Sequence, residues 1–175
     1  STLAYPRDLN LNDMFFKYGV RINPNLVKDI MATPISLATG DQGSATQYTQ
    51  YPWLFSPMVF QSSQNPIVYN VDGIKFEYAN QIDTLKNGIK KTILLQSSPY
   101  SKTVGTPTEI SLAMVNDEPQ QSDYMTGGNI PVAVLLEGKF HSAFENRVLP
   151  FQDKTFQALG KENKMIVVSD GDVIK

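Results

Sequence analysis

Four places in the sequence combine residue types and spacing that could do chemistry. The first is MIVVSDGDVIK, residues 165–175, where the apolar run Met165 to Val168 leads straight into Ser169, Asp170, Gly171 and Asp172. Two carboxylates flanking a glycine could ligate a cation through their oxygens, as one arm of a calcium loop does. The other ligands of such a loop, and its terminal glutamate, are absent from residues 173–175. The plainer reading is an Asp-Gly turn, with Asp172 capping a helix that begins at Val173. Between the two stands a third reading. A strand end at Val168 would border a ligand cleft if the sheet were an open α/β sheet, because such sheets bind ligands at the C-terminal ends of their strands.

The second place is Ser97-Ser98, just after the apolar run TILLQ (92–96). A serine at a strand-to-helix elbow can be a nucleophile, but QSSPYS lacks the glycines that let a G-x-S-x-G elbow turn sharply. Serines at a strand end also serve simply to satisfy backbone groups. The third place surrounds His141, the single histidine, with Ser142, Glu145 and Arg147 close in sequence. That grouping suggests a triad, which requires the base to lie within hydrogen-bond reach of its nucleophile. Its polar setting reads more simply as an exposed or capping histidine. Arg147 could grip a carboxylate or phosphate bidentately, or pair with an acidic neighbour within the chain. The fourth place is YPWLFSPMVF (51–60), where Tyr51, Trp53 and Phe55 alternate. Such rings stack on sugars, form protein interfaces, or fill a core.

The elements that must position these residues are mostly short. Residues 8–19 (DLNLNDMFFKYG) have helical spacing, with Leu11, Met14, Phe15 and Tyr18 on one face. Asp8 or Asn10 can cap the start of that helix, and Gly19 suits its C-terminal position. Strands are expected at 26–31, 35–38, 74–79, 92–98, 109–115, 132–140 and 164–169, and a helical turn at 65–71, begun by Asn65 with Pro66 at its first position. Pro52 and Pro57 bar residues 51–60 from a central strand, so an extended segment at a sheet edge is expected there. Residues 40–50 and 116–129 are polar and read as exposed loops. The buried runs TILLQ, VAVLL and MIVV favour an α/β arrangement with a sheet covered on both faces. The scarcity of crossover helices leaves a mixed sheet open as well as a mainly parallel one.

Bulk composition excludes several function classes. At 175 residues the chain can bury a sizeable core, and 41% hydrophobic against 18% charged residues is ordinary for a globular protein. Fifteen Lys+Arg against 17 Asp+Glu leave a net charge of −2, so no basic face for nucleic acid is expected. The absence of cysteine removes thiol nucleophiles, disulfides and thiolate metal sites, and a single histidine removes a multi-histidine zinc site. No cofactor and no metal are expected. No apolar run reaches the ~18 residues that span a bilayer. The start, STLAYPRDLNLND, has no basic-then-apolar leader pattern, so any export or anchoring segment is expected outside this chain.

Taken in order, LNLNDMFFKYGVRINPNLVKDIM (9–31), YPWLFSPMV (51–59), NPIVYNVDGIKFEYANQID (65–83), TILLQSSPYSKT (92–103), IPVAVLLEGKFHSAFENR (130–147) and MIVVSDGDVIK (165–175) form a recognisable set. Together they resemble the extracytoplasmic auxiliary component of ABC transporters typified by the gliding-motility protein GldG. The resemblance covers nearly the whole chain outside the two polar stretches. It implies a periplasmic domain anchored to the cytoplasmic membrane through segments absent here, with permease and ATPase subunits as partners. It also implies a class I glutamine-amidotransferase-like α/β fold, shared with an intraflagellar-transport protein, and carbohydrate as a candidate ligand. In the family, strands and a helix precede LNLND and the chain continues past DGDVI. Strands upstream of Ser1 are therefore expected to complete the sheet. The family has no catalytic residue set, and amidotransferase chemistry would need a cysteine that this chain lacks.

These observations converge on one α/β domain over residues 1–175, cut from a larger membrane-anchored protein. It would be a three-layer sandwich around a mainly parallel or mixed sheet. The expected function is non-enzymatic: an auxiliary or ligand-binding part of an ABC transport system, with Ser97, Ser98, Asp170, Asp172, Trp53, Tyr51 and Arg147 as candidate ligand contacts. Two alternatives stand beside it. One is a hydrolase using Ser98, or a water activated by Asp170 and His141. The other is a protein–protein scaffold whose polar stretches 40–50 and 116–129 meet neighbours.

Overall fold

Gly19 ends the first helix. It adopts φ +84° and donates its N–H back to the carbonyls of Phe15 and Phe16, so helix α1 runs Asn12–Tyr18. Only glycine takes that left-handed conformation without a Cβ penalty. Asp13 in the first turn and Lys17 in the last suit the helix dipole. The expected cap by Asp8 or Asn10 does not form: Leu11 occupies the N-cap without a side-chain bond, and Asp8 Oδ1 instead accepts from Asn10 N at 2.8 Å. The computed structural model describes residues 1–43, 45–125, 127–149 and 155–173, with only the backbone of residues 41 and 42.

Twelve strands are described: β1 (Thr2–Ala4), β2 (Val20–Ile22), β3 (Asn25–Asp29), β4 (Ala32–Gln42), β5 (Ala45–Gln61), β6 (Ile74–Lys75), β7 (Ile82–Thr84), β8 (Lys90–Gln96), β9 (Ser101–Gly105), β10 (Thr108–Ile110), β11 (Pro131–His141) and β12 (Leu159–Val168). A six-stranded sheet has the order β12-β11-β8-β5-β4, with β6 pairing on β5. The pairs β1-β10, β2-β7 and β3-β9 form three small two-stranded sheets. Every pairing among the described residues is antiparallel.

This overturns the expected α/β three-layer sandwich around a mainly parallel or mixed sheet, and with it the glutamine-amidotransferase-like fold. The misleading signal was the apolar run Val132–Leu136. One face of β11 packs Val132, Ala133 and Leu135 among Val27, Val59, Phe76 and Leu94. The other packs Val134 and Leu136 among Tyr18, Val20, Ile82, Ile89 and Val167. A strand buried on both faces needs apolar residues throughout, whatever covers it. Here the covers are α1, small two-stranded sheets and turns in place of crossover helices. Fully burying each such side chain contributes about 1.5–3 kcal/mol, so this strand anchors the core. A third cluster joins Leu26, Trp53 and Phe55.

Other elements depart from expectation in instructive ways. Residues 40–50 are the tip of a long hairpin, with Gln42 opposite Ala45 and Gly43 at φ +66° in the turn. Gly/Ser/Thr/Gln content cannot distinguish a loop from an exposed strand whose two faces both meet water. Residues 109–115 divide into β10 and a 3₁₀ helix, Leu112–Asn116, capped by Ser111 Oγ. Residues 116–129 contain a second 3₁₀ helix, Gln121–Tyr124, whose Tyr124 is buried, so that stretch packs on the body. The expected turn at 65–71 forms, with Asn65 Oδ1 accepting from Ile67 N at 3.0 Å and Asn65 O from Val68 N and Tyr69 N. Residues 51–60 lie within β5, which sits between β8 and β4 and so is not the expected edge segment. Pro52 faces Pro34 at a register shift, where among the described residues only β4 pairs with β5, and β6 and β8 pair with it further on, at 58–61. No helix among the described residues is long and apolar enough to cross a membrane.

Candidate functional site

Because β8 and β12 both run antiparallel to β11, their C-terminal ends flank its start. Ser97 N donates to Ile130 O at 3.0 Å, and Ser169 N to Val132 O at 3.0 Å. Two strand spacings therefore separate the Ser97 and Ser169 backbones, about 10 Å. The fold brings these two candidate strand ends to one end of the sheet. Their side chains, however, are spent on separate structural tasks.

Ser97 and Ser98 are both buried, in a cluster centred on Asp29. Asp29 Oδ1 accepts from Ser98 Oγ at 2.5 Å and Met31 N at 2.8 Å, and its Oδ2 accepts from Ser98 N at 2.8 Å. Ser98 Oγ in turn accepts from Tyr100 N at 3.0 Å. Ser97 Oγ accepts from Ile130 N at 2.8 Å and lies 2.6 Å from Ser101 Oγ, which reaches Ser98 O at 2.8 Å. Burial pushes the Asp29 carboxyl up, and this outweighs the downward pull of its bonds to Ser98 and Met31. The cluster ties β3 and β9 to the end of β8. A hydroxyl with both faces committed in this way presents no nucleophile to solvent.

Cations and rings lie beside the cluster. Lys28 and Lys102 face each other across β3 and β9. Lys28 Nζ lies 5.0 Å from the Phe55 ring centre and Lys102 Nζ 4.4 Å from that of Tyr124. Burial and then the Lys102 charge lower the Lys28 ammonium, while Asp117 opposes them. Burial raises the Tyr124 phenol, and the charges of Asp123, Asp29 and Asp117 add to that.

At the other strand end, Asp170 Oδ2 accepts from Glu77 N at 2.7 Å and its Oδ1 from Asp172 N at 2.8 Å. Asp170 thus closes its own turn and pins the residue-77 segment to the end of β12. Among the described residues, no group of three or more histidine, aspartate or glutamate side chains could hold a metal. The helix expected from Val173 falls largely on residues 174–175, outside the described residues.

His141 lies at the far end of β11, 2.9 Å from Glu145 and half-exposed. Ser142 Oγ accepts from Phe144 N at 3.1 Å. Ten residues of strand put His141 roughly 30 Å from the ends carrying Ser98 and Asp170. Arg147 Nη2 meets Asp13 Oδ2 of α1 at 3.1 Å, with both side chains largely exposed. Tyr51 is half-buried, and Trp53 packs against Phe55 with ring centres 5.6 Å apart.

Two hollows lie on this side of the molecule. The larger, of about 760 Å³, is lined on one side by the segment leading from β1 into α1, residues 4–9, 11 and 12. Its walls include Phe15, Ile22, Leu26, Tyr78 and Val168, with Asn23, Asn80, Thr106, Ser169 and Gly171 as polar and turn positions. The smaller, of about 490 Å³, is lined by Trp53, Tyr78, Ile110 and Leu112, and shares Ala4 and Tyr78 with the first. Of the candidate contacts, only Trp53 lines either one. Asp29 and Ser101 hold this cluster together without standing out in the sequence. The available signal was an acid inside the otherwise strand-like LVKDIM, which in a buried strand must find donors.

The family model described as an ABC-type uncharacterized transport system matches residues 1–175, and the chain belongs to that family of ABC transport auxiliary components. No curated protein and no solved structure matches it.

Proposed function

We propose that this domain serves its ABC transport system by contact and not by turnover, on the extracytoplasmic side of the membrane. Its partners in this reading are the permease and ATPase subunits. The observation that carries it is the commitment of the candidate chemical groups: Ser97, Ser98 and Asp170 are engaged by backbone and neighbouring side chains. The one histidine stands roughly 30 Å away along β11. The hollow lined by residues 4–9, 11 and 12 is then a contact surface, combining apolar walls at Phe15, Ile22, Leu26 and Val168 with the charged side chains of Arg7 and Asp8. The GldG-type, gliding-associated branch is the finer assignment that the motif set at 9–31, 51–59 and 130–147 supports. Trp53 is only 4% exposed and packs with Leu26 and Phe55, which favours a core role over stacking on a sugar.

The test is co-purification of the full-length protein with permease and ATPase from solubilised membranes. Association is expected, and its absence would overturn the reading. An ester- or glycan-hydrolysing activity that Asp170→Ala removes from a folded protein would restore the hydrolase alternative.

A further inference from the structure

Among the described residues the six-stranded sheet ends in two unpaired edges of different character. β12 carries Lys161, Glu162 and Lys164, and such charges discourage edge-to-edge pairing. At the other end, β4 and β5 extend from the body as a two-stranded ribbon. β4 is interrupted by Pro34 and by a register shift between Ala38 and Gly40. The outer edge of β5 has neither defence. Over residues 45–51, ATQYTQY, it contains no charge, proline or glycine, and its register opposite β4 advances without a break on its own side. β6 and β8 pair with β5 only at 58–61, so among the described residues nothing pairs with that edge at 45–51. Residues 45–50 are exposed but for a half-buried Thr49, and Tyr48 is 66% exposed.

A two-stranded ribbon with water on both faces is marginal by itself. Here Thr39 and Thr49 hydroxyls 2.9 Å apart, and Gln50 donating to Ser36 at 2.6 Å, brace the two strands. A seven-residue segment of high β-propensity and no charge is also the type that pairs with its own copy. We infer that residues 45–51 form an antiparallel, twofold interface with the same segment of a second copy of this chain. Two ribbons become one four-stranded sheet. A neutral strand meets itself without like charges in opposition, and a closed twofold uses one patch on both partners. The outer edges of that four-stranded sheet belong to β4, where Pro34 and the register shift between Ala38 and Gly40 oppose further pairing. The charges of β12 guard the other end of the main sheet.

These 175 residues contain no cysteine, so within them an introduced thiol has no competitor, and mapping the crosslinked peptide identifies its partner. Single substitutions Thr46→Cys, Gln47→Cys, Tyr48→Cys and Thr49→Cys are made in the full-length protein and oxidised mildly. In a twofold antiparallel ladder one position faces its own copy at about 4.5–5.5 Å between Cα atoms, within disulfide range. Crosslinked dimer is expected to peak at one position and fall sharply two residues away. Light scattering is expected to show a dimer that Thr46→Lys with Thr49→Lys converts to a folded monomer, while Lys164→Ser leaves it unchanged. A monomer at all concentrations, a flat crosslinking profile, or crosslinks to a different polypeptide would each overturn the inference.

Discussion

Replacing Asp29 by alanine separates a structural serine cluster from a catalytic one. The carboxylate accepts from Ser98 N, Ser98 Oγ and Met31 N, and Asp29 is fully buried. Removing it orphans the Ser98 donors in the interior, at about 1–3 kcal/mol each. The Met31 donor lies nearer the surface, where water can replace the carboxylate. Desolvation already raises this carboxyl, so some of the loss is recovered when the buried group goes. A net cost of about 2–4 kcal/mol is expected, equivalent to roughly 4–16 °C in melting temperature for a chain of this size. Ser98→Ala removes one donor to Asp29 and leaves Tyr100 N unpaired, for about 1–3 kcal/mol. Since both changes delete the same contact, the double variant should cost about 1–2 kcal/mol less than the sum of the singles. Urea unfolding followed by the fluorescence of Trp53, the single tryptophan and a buried one, measures all three variants. Additivity within about 0.5 kcal/mol, or an Asp29→Ala cost below about 0.5 kcal/mol, would refute the reasoning.

A Cβ placed on Gly128 would collide with the Pro99 carbonyl. Since the obstacle is backbone, Gly128→Ala should cost more than about 2 kcal/mol by the same unfolding assay. Arg147→Ala should change stability by less than about 0.5 kcal/mol, because its pair with Asp13 is exposed on both sides. Asp83 gives a pH prediction of definite sign. Burial acts to raise its carboxyl, but bonds from Asn23 and Arg21 and the Arg21 charge prevail and hold it below the usual value of 3.8. Its stabilisation is therefore complete above that unfolded value and is lost as pH falls through the lower folded one. Asp83→Asn should flatten that acid limb in a thermal melt series. Asp29 has the opposite sign: with its carboxyl raised, its contribution falls as pH rises from 3.8 through the folded value, and Asp29→Ala should remove that slope.

Local structure was legible where one residue decides it. Gly19 ends α1, Asn65 starts its turn, and the strands expected at 92–98, 132–140 and 164–169 form as Lys90–Gln96, Pro131–His141 and Leu159–Val168, because each depends on a backbone preference or a run of buried apolar residues. Strand direction was not legible. It depends on which strands become neighbours, and Val132–Leu136 would carry the same residues beneath helices or beneath small sheets. Asp29 was equally hidden, since the partner that makes its burial tolerable, Ser98, lies 69 residues away. The long hairpin leaves no such mark, because residues 45–50 of β5 are exposed but for Thr49 and carry no apolar alternation.

Direction also decides where function should be sought. In a parallel sheet all the C-terminal strand ends gather on one side and leave a crevice, so polar residues after TILLQ and MIVV would line it. In this antiparallel sheet the ends of β8 and β12 meet the beginning of β11. Polar side chains at these ends then satisfy backbone groups of neighbouring segments: Ser97 Oγ accepts from Ile130 N, Ser169 Oγ donates to Val132 O, and Asp170 accepts from Glu77 N. The sequence pattern that suggests a ligand crevice in one topology produces mutual capping in the other. Under the proposed function and interface, surfaces for partners fall where the sheet makes no internal use of its groups: the outer edge of β5 at 45–51 and the hollow lined by residues 4–9, 11 and 12.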